Sequence, residues 1–366
     1  MDNPSGTSSR LLSLDAMRGF TIAAMIMVNF PGHEDFVFPT LRHTKWNGLT
    51  FTDLIAPTFL FIVGVSITLA YSKKLDAPKV PLYRKILVRS LKIFAVGMFL
   101  NMLPDFNFSD LRYTGTLHRI AIVFLVCAVI FLNSNWKQQL GIAAAILVLY
   151  WLALTTIPTP GTGMVMLEPG VNLAAWVDQQ YLPGKMWQGN WDPEGILSTF
   201  PSIATTITGM LAGRLMLLPL SPNEKSNFLL TAGFATASLG YFWNLIFPTN
   251  ENLWTSSFVL VTSGFAAMLL GALYFLIDIR GLTRGIAPGV IFGANAIAAY
   301  VLADILALLF YIMPIGGESV NQHAVAALSQ TGMDPRLASM LFALFFVCIN
   351  FIPAYLLYKK RIFIKL

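Results

Sequence analysis

Residues 49–71 read LTFTDLIAPTFLFIVGVSITLAY, and Asp53 is the only charged residue among them. A helix of this length spans about 34 Å at 1.5 Å per residue, enough to cross a hydrocarbon core of about 30 Å. Segments of similar character recur along the whole 366-residue chain, separated by short polar links. Only 11% of the residues are charged and 56% are hydrophobic, against about 25% charged in ordinary soluble domains. The apolar runs are too long for transmembrane β-strands, which alternate polar and apolar residues in segments of about 10. The expected fold is an all-α integral membrane protein made of one polytopic domain over residues 1–366.

Ten transmembrane helices are expected, at about 11–30, 49–71, 86–103, 117–133, 139–157, 195–218, 227–247, 255–277, 287–313 and 336–357. An even number puts both termini on one side, and that side then carries 18 of the 24 basic residues. The other keeps Arg42, Lys45, Arg112, Arg119, Lys185 and Arg336. The positive-inside rule makes both termini cytoplasmic. The net charge of +6 is therefore a topology signal and does not indicate nucleic-acid binding. The stretch from Lys73 to Lys92 holds seven basic residues, suited to anionic lipid headgroups or to a phosphorylated cofactor. The first ten residues are polar and carry no cleavable signal pattern. Cys127 and Cys348 both lie in apolar runs and read as buried hydrophobes. No metal site is expected, and there is no glycine fingerprint for nucleotide hydrolysis or dinucleotide redox chemistry.

Upstream of this apolar run, RHTKWNG (42–48) sets His43, Trp46 and Asn47 at the outer edge of a helix that contains Asp53. The preceding helix ends at Asn29, on the same side. His118 and Arg119 open another helix there, where a cation opposes the macrodipole. Arg119 is therefore expected to pair with Asp53, Asp192 or Glu194. The longest link, about 158–194, is outside and contains Trp176, Trp187 and Trp191, as belt residues or as a surface for sugar rings. At the cytoplasmic end Asp15 and Arg18 share a helix face, as an ion pair or an anion-binding corner. Asn295 is placed to face the bundle interior, and Asp304 lies mid-helix, where an ionisable group is a functional candidate.

The stretches SLDAMRGFTIAAMIMVNFPG (13–32), HTKWNGLTFTDLIAPTFLFIVG (43–64), GTLHRIA (115–121), WDPEGILSTFPSIATTITGMLAG (191–213), LWTSSFVLVTSGFA (253–266) and GANAIAAY (293–300) resemble the heparan-α-glucosaminide N-acetyltransferase family, in the family's order. The resemblance implies transfer of an acetyl group from cytoplasmic acetyl-CoA, across the membrane, to an amino sugar or glycan on the far side. It implies His43 as the catalytic histidine and matches Asn29 to the family's V-N asparagine. The lysosomal members' luminal domain and extra first helix have no counterpart in the matching stretches, and Ala56 stands where an aromatic is usual.

On this reading His43 acts as base or is acylated itself, and an Asn29 or Asn47 amide serves the oxyanion. Trp46, Asn47, Asp53, His118, Arg119, Asp192, Glu194 and Asn295 are expected to shape the acceptor site. Asp15, Arg18, Arg89 and Arg214 are expected near the donor's phosphates. The expected location is a bacterial inner membrane, multi-pass, in contact with lipid, with a homodimer left open. The rival reading is an inner-membrane permease for an amino sugar or oligosaccharide, which would be expected to have discontinuous helices and paired repeats.

Overall fold

The computed structural model describes residues 11–103, 106–315 and 317–364. Arg10, Asp105 and Lys365, which entered the charge count, lie outside the described residues. The helices are α1 (Leu12–Asn29), α2 (Ile55–Tyr71), α3 (Lys79–Met102), α4 (Thr116–Asn133), α5 (Trp136–Thr156), α6 (Leu173–Tyr181), α7 (Ile196–Leu217), α8 (Pro222–Asn244), α9 (Ser256–Leu273), α10 (Ala287–Ala294), α11 (Ala296–Ala307), α12 (Val320–Gln330) and α13 (Pro335–Lys359). The extended structure among the described residues is a two-residue hairpin, Pro314–Ile315 with Glu318–Ser319, and an isolated bridge between Arg112 and Gly184.

Every expected segment coincides with helix. Among the described residues six helical stretches are long and apolar enough to cross a membrane: those built on α2, α4, α5, α7, α9 and α13. The bent pair α10–α11 makes a seventh if it is counted as one span. The other three carry more polar load. The stretch of α3 up to Lys92 holds Lys79, Arg84, Lys85, Arg89 and Lys92, α8 opens with PNEKSN, and α1 contains Asp15, Arg18 and a terminal Asn29. Local chemistry sets several helix starts. Asn135 with Gln138 and Ser221 with Glu224 form capping boxes, satisfying backbone donors at the starts of α5 and α8. Asp334 caps α13, with Pro335 at its first position.

In lipid the association of helices depends on close packing more than on hydrophobic exclusion, so small residues mark the tightest crossings. Gly64 and Gly209 bring α2 and α7 together: a Cβ on Gly64 would collide with the Thr206 carbonyl, and one on Gly209 with that of Phe61. Gly19 and Gly293 do the same for α1 and α10. Ile22, Ile26, Phe59, Phe124, Ile207 and Phe346 fill the centre of the bundle. At its periphery, α5 and α13 leave most of their side chains outside the core.

Two regions depart from expectation. The link 158–194 is ordered by its own chemistry: Asn172 caps α6, and the Arg112–Gly184 bridge ties the segment to the chain before α4. The expected helix over 287–313 is broken at Asn295, where α10 and α11 meet at 86°. Asn295 leaves helical geometry there, with φ −133° and ψ 44°. Its side chain bridges the C-terminal segment, donating from Nδ2 to the Ile362 carbonyl at 3.0 Å and accepting from Ile364 N–H at 2.8 Å.

Candidate functional site

The segment 42–54 folds around one carboxylate. Asp53, fully buried, sits in a single 3-10 turn, Thr52–Leu54, that feeds α2. Its Oδ2 accepts from the Thr50 N–H at 2.8 Å and the Thr50 hydroxyl at 3.1 Å. The same Thr50 hydroxyl lies 2.9 Å from the Arg42 carbonyl, so its one hydrogen is shared between the two acceptors, which closes the loop. His43 is thereby delivered to the rim of Asp53, with Nδ1 3.0 Å from Oδ1.

A second carboxylate reaches the same nitrogen. Glu251, 208 residues further along the chain, places Oε2 2.7 Å from His43 Nδ1. The turn that carries it is docked on the histidine loop: Gly48 N–H donates to the Thr249 carbonyl at 2.8 Å, and Asn250 Nδ2 donates to Asn47 Oδ1 at 3.1 Å. Among the described residues nothing hydrogen-bonds His43 Nε2, and the side chain is 54% exposed. The imidazole is thus clamped through one nitrogen and open through the other.

These surroundings set the protonation states. Burial works against a charged His43, but the hydrogen bonds and fields of Asp53 and Glu251 outweigh it and push the imidazole up to about 10. Burial pushes Glu251 up to about 7, against the pull of His43. One nitrogen flanked by two carboxylates stores a proton close to neutrality. The donor atoms of His43, Asp53 and Glu251 lie within 4.8 Å of one another, and both carboxylates stand at hydrogen-bond distance from the same Nδ1, so they meet through the proton on that nitrogen. The contacts at 2.7 and 3.0 Å are those of charge-assisted hydrogen bonds.

A second acid cluster lies beside α4. Arg112 binds Asp192 through two nitrogens, at 2.6 and 2.8 Å, and Glu194 at 2.6 Å. Asp192 further accepts from the Thr114 hydroxyl at 2.7 Å and the Trp187 N–H at 3.0 Å. Burial opposes ionisation of Asp192, but the guanidinium holds its carboxyl below the usual range. This corrects the expectation for Arg119. Arg112 takes both Asp192 and Glu194, Asp53 belongs to His43, and among the described residues Arg119 has no carboxylate partner. Arg119 Nη2 instead donates to the Pro193 carbonyl and the Ser198 hydroxyl, each at 2.6 Å.

The other expected site residues are dispersed. Trp46 donates its indole N–H to the Leu167 carbonyl at 2.9 Å and meets Trp191 edge-on at 5.3 Å, tying the long link to the histidine loop. Asn29 ends α1 with an exposed side chain and is not among the hydrogen-bonding partners of His43. His118 is buried against Phe94, edge-on at 4.6 Å, and its Nε2 has no hydrogen-bond partner among the described residues. Asn295 holds the C-terminal segment. Arg18 pairs with Asp15 at 3.3 Å and reaches the Ser66 hydroxyl at 2.9 Å. Arg89 and Arg214 lie on the rings of Phe124 and Phe131, at 4.9 and 4.7 Å. Asp304 lies within α11.

Glu251 and Arg112 escaped the reading of the sequence as site residues. The available signal for Glu251 was an acid just ahead of an apolar run, at the same end of the bundle as His43.

The model of the catalytic region of heparan-alpha-glucosaminide N-acetyltransferase matches residues 10–242 of the chain. Across 98% of its length the chain is 27% identical to heparan-alpha-glucosaminide N-acetyltransferase of Mus musculus and 29% identical to that of Homo sapiens. It spans 61% and 60% of the length of these two relatives.

Proposed function

Because the chain belongs to the heparan-alpha-glucosaminide N-acetyltransferase family, we propose that it is a membrane acetyltransferase that acetylates an amino sugar or glycan at the end of the bundle bearing His43. The observation that carries this reading is the imidazole held through Nδ1 by Asp53 and Glu251, with Nε2 open. In this reading the helices form ten spans with both termini cytoplasmic, in a bacterial inner membrane. The donor is cytoplasmic acetyl-CoA. Arg18, Arg89 and Arg214, with the basic stretch from Lys73 to Lys92 that runs into α3, lie at the opposite end of the bundle in this reading, suited to its phosphates.

The acceptor amine approaches the cluster as an ammonium ion, attracted by two carboxylates. Its positive charge disfavours a second cation beside it, so the His43 proton leaves as the acceptor binds. The ammonium gives up one proton to solvent to become the nucleophilic amine, whose nitrogen then forms a bond to the thioester carbonyl carbon as neutral His43 Nε2 takes its second proton. Collapse breaks the C–S bond, and the proton passes to the departing thiolate. Asp53 and Glu251 stabilise the imidazolium between these steps, and no acyl-histidine is formed. Trp187 in the link, 65% exposed, offers an aromatic surface near the Arg112 cluster for a sugar ring.

The permease reading has one observation in its favour, the 86° break at Asn295. There, however, the freed amide serves the chain's own C-terminal segment, and His43 is left without a task. The two readings are separated with purified protein in detergent, given labelled acetyl-CoA and glucosamine-type acceptors. Transfer is expected, and the His43→Ala protein should lose it. An absence of transfer to any acceptor, together with sugar uptake into liposomes, would overturn the proposal. An acyl-histidine trapped when acetyl-CoA is supplied alone would overturn the direct route.

A further inference from the structure

Glu251 acts on His43 only if the short turn that carries it is held still. That turn, 249–255, is internally knit: Leu253 N–H donates to Asn250 Oδ1 at 2.8 Å, Asn250 N–H to the Thr255 hydroxyl at 3.0 Å, and Thr255 N–H to the Asn250 carbonyl at 3.1 Å. On one side it rests on Asn47 and Gly48. On the other it ends at Trp254, whose backbone is in the left-handed region with φ 51°. A bulky residue in that conformation is strained and persists only where its surroundings over-determine it.

The surroundings of Trp254 supply three constraints. Its backbone N–H donates to the Glu251 carbonyl at 3.0 Å. Its indole N–H donates to the Thr205 hydroxyl of α7 at 3.0 Å. The guanidinium of Arg119 lies over its ring at 4.7 Å. Arg119 is 5% exposed, sits in the first turn of α4 where a cation is disfavoured, and among the described residues has an Nε with no partner. Pairing a desolvated guanidinium with an indole face is favourable, and the contacts to Pro193 and Ser198 fix where the guanidinium lies. The chain of contacts therefore runs from the WDPEG segment through Arg119 and Trp254 to Glu251, and then to His43.

We propose that Arg119 and Trp254 are positioning residues, which hold the Glu251 turn so that its carboxylate stays on His43 Nδ1. The inference rests on the reading of His43 as the base for its catalytic meaning, but its physical content is a geometry that can be measured without turnover. The groups that bear on the outcome are Asp53 and Glu251 beside His43, and Asp192, Glu194, Tyr150 and Glu251 around Arg119.

The test is the titration of His43, followed by NMR of the full chain with labelled histidine in detergent and assigned with His43→Asn. Arg119→Met should lower the His43 midpoint by about one pH unit or more, as expected when an adjacent carboxylate is lost. Removing a positive charge at a distance would by itself raise that midpoint, so the sign separates positioning from a field effect. Glu251→Gln should lower it as well, and the double variant should titrate no lower than Glu251→Gln alone. Arg119→Lys, which keeps a cation for the ring, should restore most of the wild-type midpoint.

A folded Arg119→Met protein whose His43 titrates as in the wild type, or higher, would overturn the proposal, as would additivity in the double variant. Where Arg119→Met does not fold, Thr205→Val and Trp254→Phe probe the same link through the indole N–H. Each should lower the midpoint by less, and an unshifted midpoint in both would overturn the proposal. If the titrations move as expected but no acceptor is ever acetylated, the geometry stands and the acetyltransferase reading fails.

Discussion

The two acid clusters at the His43 end use similar residues to opposite ends. Around Arg112, one guanidinium meets two carboxylates, Nη2 donating to both and Nε adding a second bond to Asp192, and Thr114, Trp187 N–H and the bridge to Gly184 complete the set. The charges oppose one another and the buried polar atoms of Asp192 are paired, which is how a structural ion cluster avoids the cost of desolvation. Around His43, two carboxylates compete for one nitrogen while the other nitrogen faces outward. That arrangement pushes Glu251 up to about 7 and leaves a free nitrogen on His43 for proton exchange. A cluster closed on itself fastens the link to the bundle, and one left open at an atom is available for chemistry.

The contrast breaks most visibly on activity. His43→Ala should reduce acetyl transfer by about 10²–10⁴-fold, the usual contribution of a positioned base, measured as labelled product per unit time. Unaltered transfer would remove His43 from the chemistry. Arg112→Ala should act on stability instead, by about 3–5 kcal/mol, because it strands Asp192 buried without its cation. Thermal unfolding in detergent reads this, and Arg112→Lys should recover only part of it, since an ammonium cannot form the bidentate contact.

The clusters should also respond oppositely to pH. The raised His43 contributes stability that is complete below about 6.5 and is lost as pH rises through about 10. Glu251, raised from 4.5 to about 7, has the same sign, and its contribution falls across that window. The lowered Asp192 contributes above the ordinary carboxylate range and loses its contribution as pH falls through its depressed value. Hydrogen exchange, corrected for intrinsic rates, should therefore show residues 43–53 and 249–255 loosening towards alkali and residues 184–196 towards acid. Loss of protection in the same direction at both clusters would refute the contrast. The smallest effect should be that of Trp46→Phe, which removes the N–H to Leu167 but keeps a ring against Trp191. It should cost about 1 kcal/mol, read as faster exchange around residues 164–169.

Much of the fold was legible because lipid imposes a simple demand. Each apolar run must satisfy its own backbone and so becomes helix, and every expected segment did. The break at Asn295 was hidden, since GANAIAAY carries no proline and the deviation depends on a C-terminal segment 67 residues away. In the site, Asp53 could be placed near His43 because only ten residues separate them. The partner of Arg119 was misjudged because several acids at one end are equivalent in a sequence, and only packing assigns Asp192 and Glu194 to Arg112.

What the sequence by itself determined is the helical membrane character and the family, carried by composition and contiguous residues, while Asp53 stayed open between His43 and Arg119. What only the tertiary structure decided is the second carboxylate on His43. Glu251 is brought there across 208 residues by the docking of the 249–255 turn onto Asn47 and Gly48. No local pattern encodes that meeting, because it depends on how α2 and α9 pack side by side in the bundle.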